Sequence, residues 1–348
     1  MALFGLGGSK STVALDIGSG QIKLVEIDHS KGEPVLSRVA MTPVLADAIV
    51  EGEIMDPGVV ADAIRGLLST HGIKAKKVVV AVGGRDVIIK KIQVDRMKQA
   101  DAMEVVRWEA QQHVPFDIDA VELDFQILDP DGAGLQMEVL LVAAKRDLVD
   151  DKTQLLIQAG LDAAVVDVDA FALHNAFELN YPEAMQGVVA LLNIGHEVTN
   201  VNIQEDGIPL LNRDLSVGTR LFREDLQRER GLSADDAEDL LQGYELTPDL
   251  APYVQNRGDE LAVGLERAGA FLQTASRDAG SIQRVYCCGG GSRIPGITEV
   301  LSRRLNIPVE LATPLQRLQV KDGVFDTLNP DTVGPLLMLG TGLALRRN

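Results

Sequence analysis

Leu15–Ile27 reads LDIGSGQIKLVEI, an apolar strand that breaks on Gly18-Ser19-Gly20 and resumes as a second strand. Leu191–Ile203, LLNIGHEVTNVNI, repeats the design: one fixed offset superposes Asp16 on Asn193, Ile17 on Ile194 and Gly18 on Gly195. Both stretches open a strand–turn–strand unit with helices further on, which predicts two similar halves facing each other. A turn of Gly-Ser-Gly leaves backbone N–H groups uncovered, and such a concavity suits anions, phosphate above all. Read alone, the same stretch is also an ordinary tight hairpin with a surface aspartate.

The 348 residues allow two or more domains, and a hydrophobic fraction of 46% is ample for cores that, with 4% aromatics, must be aliphatic. A formal charge of -18 excludes nucleic acid and anionic lipid as default partners. Lys74-Ala75-Lys76-Lys77 is the best candidate for a local basic patch, read as a solvated strand entry. The two cysteines, Cys287 and Cys288, are adjacent, so strand alternation points them apart and they read as core in a reducing cytosol. MALFGLGGSK lacks the pattern of a signal peptide, and no run reaches the ~18 apolar residues of a membrane helix. A cytoplasmic protein is the expectation.

β-Branched runs predict strands at Val13–Leu15, Ile22–Ile27, Val35–Ala40 and Val78–Val82. Before the last, Asp56 caps a helix whose face is Val60, Ala63, Ile64, Leu67 and Leu68. A strand, a helix over Gln99–Gln112 stopped by Pro115, two strands around DPDGAG and a helix over Asp147–Gln158 follow. This block reads as an inserted lobe. After the repeat at Leu191, Arg213 to about Ser281 is mostly helical and charged. The chain is then strand, glycine turn and helix, and closes on an apolar, small-residue helix, VGPLLMLGTGLALRR. The fold class is α/β.

Asp16, one step before the first turn, suits a water-shelled Mg²⁺, and Lys23 on the returning strand suits a phosphate as a point charge. CCGGGSRIPG puts a bare turn of Gly289, Gly290 and Gly291 at a helix entrance, where a flat base and phosphates can lie against peptide planes. Other nucleotide motifs fit worse: Lys23 stands where GxGxxG needs its third glycine, and IKLVEI is a strand where a helix is required. No GxxxxGK[ST] loop occurs. His29, His71, His113, His174 and His196 are scattered, each read as surface or incidental, and Ser19 has no histidine and acid arranged for nucleophilic catalysis.

Together LDIGSGQIKLVEI, LLNIGHEVTNVNI, VYCCGGGSRIPG and VGPLLMLGTGLAL resemble the two phosphate motifs, the adenosine motif and the second connecting motif of the actin-like ATPase superfamily. The block around WEAQQHVPF, with VVDVDAFAL and GTRLFREDLQRERGLSADDAEDLLQ, is similar to the PilM family of type IV pilus assembly proteins, relatives of FtsA. The resemblance implies an actin-like, ribonuclease-H-like fold of two duplicated lobes with an FtsA-type insertion. It divides the chain into a first core subdomain (11–80, 161–186 and 333–348), the insertion (81–160), a second core subdomain (187–212 and 282–332) and a helical subdomain over the cleft (213–281).

ATP with Mg²⁺ is implied between the lobes. Asp16 would hold the metal through water, Gly18, Ser19, Gly20, Lys23, Asn193 and Gly195 would line the phosphates, and Gly289, Gly290 and Gly291 would face the adenosine. Glu238 falls at a ribose- or base-contacting glutamate. Asp167 or Asp169 would orient water, with Asp167 the catalytic candidate beside Asp16; both acids also read as helix-capping residues at a strand end. Two departures weaken hydrolysis more than binding: Asn193 replaces the usual aspartate, and Leu241 stands where the resemblance expects a lysine.

The implied function is an ATP-binding scaffold peripheral to the inner membrane through its partners. The N-terminal cytoplasmic tail of PilN would dock between the first lobe and the insertion, and other inner-membrane pilus proteins and motor ATPases would follow. A metabolite kinase of the same superfamily lacks a clear general base beyond Asp167 and Asp169. An FtsA-like filament would carry a basic amphipathic anchor, which is not expected after LALRRN; self-association stays open.

Overall fold

The computed structural model describes residues 11–275 and 280–346; the MALFGLGGSK stretch lies outside them. β1 (Ser11–Ile17) and β2 (Gln21–Asp28) form a hairpin with Ile17 opposite Ile22, and β3 (Val35–Pro43) pairs antiparallel with β2. A small hairpin of β4 (Ile49–Val50) and β5 (Glu53–Ile54) leads to α1 (Pro57–Thr70). Asp56 caps α1 by accepting from the Val59 N–H at 3.1 Å, and Pro57 occupies the first turn, where its missing donor costs nothing. Val60, Ala61, Ile64, Leu67 and Leu68 form the buried face, and β6 (Lys77–Val82) then runs parallel to β1.

The chain next builds a separate layer from β7 (Val87–Asp95), α2 (Gln99–His113), β8 (Val121–Ile127) and β9 (Gln136–Lys145), its three strands ordered β7-β9-β8. α2 stops at Val114, extended at φ -97° and ψ 123° ahead of Pro115. Ile92, Val94, Ala102, Val106, Ala110 and Leu141 give this layer its own core. α3 (Arg146–Gln158), which the sequence division groups with the insertion, buries Leu155 and Leu156 among the first lobe's side chains, beside Val60 and Ile64. Its C-terminal half packs with α1, while Leu148 and Val149 at its start stay beside Val87 and Ala144 of the inserted sheet. β10 (Asp162–Val168) returns parallel to β6, and α4 (Asp169–Asn180) follows.

The second lobe repeats the first. β11 (Val188–Ile194), β12 (Thr199–Glu205) and β13 (Ile208–Leu215) form an antiparallel meander, followed by α5 (Thr219–Arg230), α6 (Ala234–Leu241) and α7 (Ala251–Ala275). β14 (Arg284–Cys288) lies parallel to β11, α8 (Ile297–Leu305) crosses, and β15 (Val309–Leu311) lies parallel to β14. The strand order β13-β12-β11-β14-β15 matches β3-β2-β1-β6-β10 position for position. Cys287 enters one core and Cys288 the next, as strand alternation requires, and burial pushes the Cys287 thiol up to about 12.

β16 (Gln319–Val320), grouped by the sequence division with the second core, crosses back to pair with β3 in the first sheet. The terminal apolar segment is broken rather than continuous: α9 (Pro330–Val333), a 3-10 turn over Gly334–Leu337 and α10 (Met338–Ala344). Pro335 has no N–H to continue an α-helix. α10 crosses α4 so closely that a Cβ on Gly342 would stand 1.6 Å from the Ala172 carbonyl oxygen. Among the described residues no helix is long and apolar enough to cross a membrane.

Candidate functional site in the cleft between the lobes

The two glycine hairpins meet. Gly18 N–H closes the first turn on the Gln21 carbonyl at 3.2 Å, and Gly195 N–H closes the second on the Val198 carbonyl at 2.9 Å. A Cβ on Gly20 would stand 2.9 Å from the His196 Cβ, so the tips approach across the cleft where no side chain fits. The N–H groups of Ser19, Gly20, His196 and Glu197 make no protein hydrogen bond among the described residues. That is the donor set an anion needs.

At the hairpin bases, equivalent cross-strand pairs carry different chemistry. Lys23, opposite Asp16, reaches the Asp16 carboxylate at 2.8 Å. Asn200, opposite Asn193, accepts from the Asn193 amide at 3.1 Å and donates to Asp214 at 2.8 Å. Burial raises the Asp214 carboxyl against the opposing effect of Asn200. The adenosine-like turn closes the floor. Gly289, at φ +81°, has its would-be Cβ 2.5 Å from the Asn193 Oδ1, and that of Gly291 would stand 2.2 Å from Ile194. Gly290 faces open space. Only glycine satisfies both the left-handed φ and the approach at Gly289.

Glu238 on α6 contributes charge to both His196 and Arg293, which places it between the second hairpin tip and the turn that follows β14. Burial pulls the His196 imidazole below its ordinary range, with Arg223 adding to it. His196, which its isolation in sequence marks as incidental, therefore stands between the tips, its Nδ1 3.0 Å from the Thr219 hydroxyl. Leu241 is core, packed among the second lobe's helices, so the position where a lysine is expected carries no cleft group.

The structure divides the two connecting-motif acids. Asp167, the sequence candidate for catalysis, is held by Arg346 through a two-pronged pair at 2.6 and 2.8 Å. Its carboxylate is thereby a fastener between β10 and the C-terminal segment. Asp169, at the start of α4, is the acid that joins Asp16 in the cleft; it backs onto Gly83, whose would-be Cβ lies 2.2 Å from the Asp169 Oδ2. Burial, then the charge of Asp16, pushes the Asp169 carboxyl up to about 7 against the pull of Lys152. Lys152 comes from α3, whose local sequence does not differ from that of a surface helix. No three metal-ligating side chains cluster among the described residues, so a cation here would be held largely through water.

The cleft mouth carries a tie between lobes. Glu197, at the second hairpin tip, accepts from the Glu51 backbone N–H at 2.5 Å and from Arg220 at 2.7 Å. Arg220 also lies 3.9 Å from Asp47 on the first lobe. Asp47 at φ 62° and Glu51 at φ 48° both hold left-handed backbone beside it.

The family model described as "Type IV pilus assembly protein PilM" matches residues 14–348. A chain of a PilM-PilN type IV pilus biogenesis complex superposes with a TM-score of 0.83 at 29% identity, covering 96% of this chain and 98% of that one. The ethanolamine utilization protein EutJ of Carboxydothermus hydrogenoformans shares the fold at TM-score 0.58 and 16% identity, over 96% of this chain and 89% of its own. MreB5 of Spiroplasma citri bound to ADP does so at TM-score 0.52 and 11% identity, over 96% and 95%. The duplicated sheets are therefore an actin-like fold. With the match running almost end to end, the chain belongs to the PilM family of type IV pilus assembly proteins.

Proposed function

We propose that the chain is an ATP-binding scaffold on the cytoplasmic side of the type IV pilus assembly machinery, docking the N-terminal tail of PilN. The observation that carries this is the match to a PilM-PilN complex chain across 96% of the sequence. An extended tail in a groove between the first lobe and the inserted sheet pairs through its backbone and a few apolar pockets, so an acidic surface is no obstacle. Further contacts with inner-membrane pilus proteins and motor ATPases, and self-association, belong to the same reading.

The residues present fit ATP and Mg²⁺: unpartnered turn N–H groups for phosphate, and the oxygens of Asp16, Asp169 and Asn193 for a hydrated hard cation. Bound there, Mg²⁺ would neutralise phosphate charge. Gly18, Ser19, Gly20 and Gly195 would cradle the phosphates, Gly289–Gly291 would receive the adenosine, and Glu238 would face the ribose or base. Asp169, buried beside Asp16, would hold a water, and an amide at Asn193 would supply one charge less for phosphoryl transfer. Turnover far below the ~10 s⁻¹ of an ordinary enzyme follows.

Calorimetric titration with Mg-ATP, and separately with a synthetic PilN tail peptide, tests both halves. Saturable heat is expected in each. A folded protein that ignores the peptide would remove the docking reading; one that ignores the nucleotide would remove the cleft reading.

A further inference from the structure

Lys152 is a buried ammonium that the functional reading does not use. It sits on the inward face of α3, one turn from Leu148 and Val149, which pack beside Val87 and Ala144, and one turn from Leu155 and Leu156 in the first lobe's core. Only 8% of it is exposed. No hydrogen bond or ion pair closes on it among the described residues; the charges it feels are Asp169 and then Asp16. Burial pulls its pKa down, the mark of an ammonium whose lost hydration is incompletely replaced.

A group in that position destabilises the fold that carries it, and a methionine of similar length would not. Its neighbourhood is specific. Lys23, the other ammonium at this corner, is closed on Asp16 at 2.8 Å. Gly83 backs Asp169, and Gly84, at φ +91°, passes the Asp214 carboxylate with its would-be Cβ 3.6 Å from Oδ2. The acids that act on Lys152 are Asp169 and Asp16, and a further anion could come beside that pair only with a cation at hand.

We propose that Lys152 contacts the terminal phosphate of a bound nucleoside triphosphate, and so makes the cleft distinguish triphosphate from diphosphate. The assignment rests on the nucleotide reading above. Because α3 directly follows β9 of the inserted sheet, the same ammonium ties phosphate occupancy to the helix that leads out of that layer.

The test is calorimetry on the full chain with Mg-ATP and Mg-ADP, wild type against Lys152→Met, with Lys152→Gln as the second variant should the first not fold. Expected is at least a tenfold loss of ATP affinity with ADP affinity within threefold of wild type, while the nucleotide-free thermal midpoint is no lower than wild type. An ATP-to-ADP ratio equal to wild type in a folded variant overturns this assignment and leaves the nucleotide reading standing. Wild-type protein that binds neither nucleotide overturns both.

Discussion

Asn193 and Asp16 hold the same place in two hairpins of the same register, yet one is wired to an amide and the other to an ammonium. Asn193→Asp would set a carboxylate oxygen against the Asn200 Oδ1 that now accepts a hydrogen bond. We expect a loss of roughly 1–3 kcal/mol, the cost of an orphaned, part-buried polar group, measured by urea unfolding. An unchanged midpoint would mean that Asn200 turns freely, against its bond to Asp214. Asp169 gives a pH prediction. Its ordinary value is 3.8 and burial raises it to about 7, so in that window the folded state holds a proton the unfolded chain has released. Stability from this group therefore falls as pH rises from about 4 to about 7, then levels. Asp169→Asn should show a thermal advantage over wild type that grows through the same window; parallel melting curves from pH 4 to pH 8 would refute the burial argument.

At the scale of elements, the α4–α10 crossing depends on the absence of a side chain. Gly342→Ala would drive a Cβ to within 1.6 Å of the Ala172 carbonyl oxygen, so the helices must separate. Backbone cannot yield as a flexible side chain can, and we expect a loss of about 3 kcal/mol in denaturant unfolding. Gly66 offers the control: it sits within α1 with nothing near its would-be Cβ, so Gly66→Ala should be neutral or stabilising by up to ~1 kcal/mol. The elements themselves were largely legible in the sequence, because strand alternation, the Asp56 cap and the stop before Pro115 act over a few residues. Their grouping was less so. α3 reads as part of the insertion by adjacency, but its Leu155 and Leu156 choose the first lobe by packing.

Across the whole molecule, Glu197 is one tie between the lobes at the cleft mouth, with a side chain 8% exposed and bonds to Glu51 and Arg220. Glu197→Ala removes a charged acceptor from the Glu51 amide, a bond worth roughly 1.5–3 kcal/mol. Hydrogen exchange at Glu51 should accelerate about tenfold or more, with little change in the β1–β2 ladder; equal rates would show that the Glu197 carboxylate does not protect this amide. The duplication behind this arrangement could be read directly from two quoted stretches, because equal spacing of apolar residues and glycines is a property of the chain. Which acid faces the cleft could not. Asp167 and Asp169 are two residues apart and chemically identical, and only the position of Arg346, far along the chain, takes Asp167 out of the site. Lys152 and His196 were hidden for the same reason. The sequence by itself determined the elements, the paired glycine turns and the family, since these follow from short-range pattern and order. The tertiary structure alone decided which charged groups converge, because burial and Coulomb interaction depend on distances that chain separation does not record.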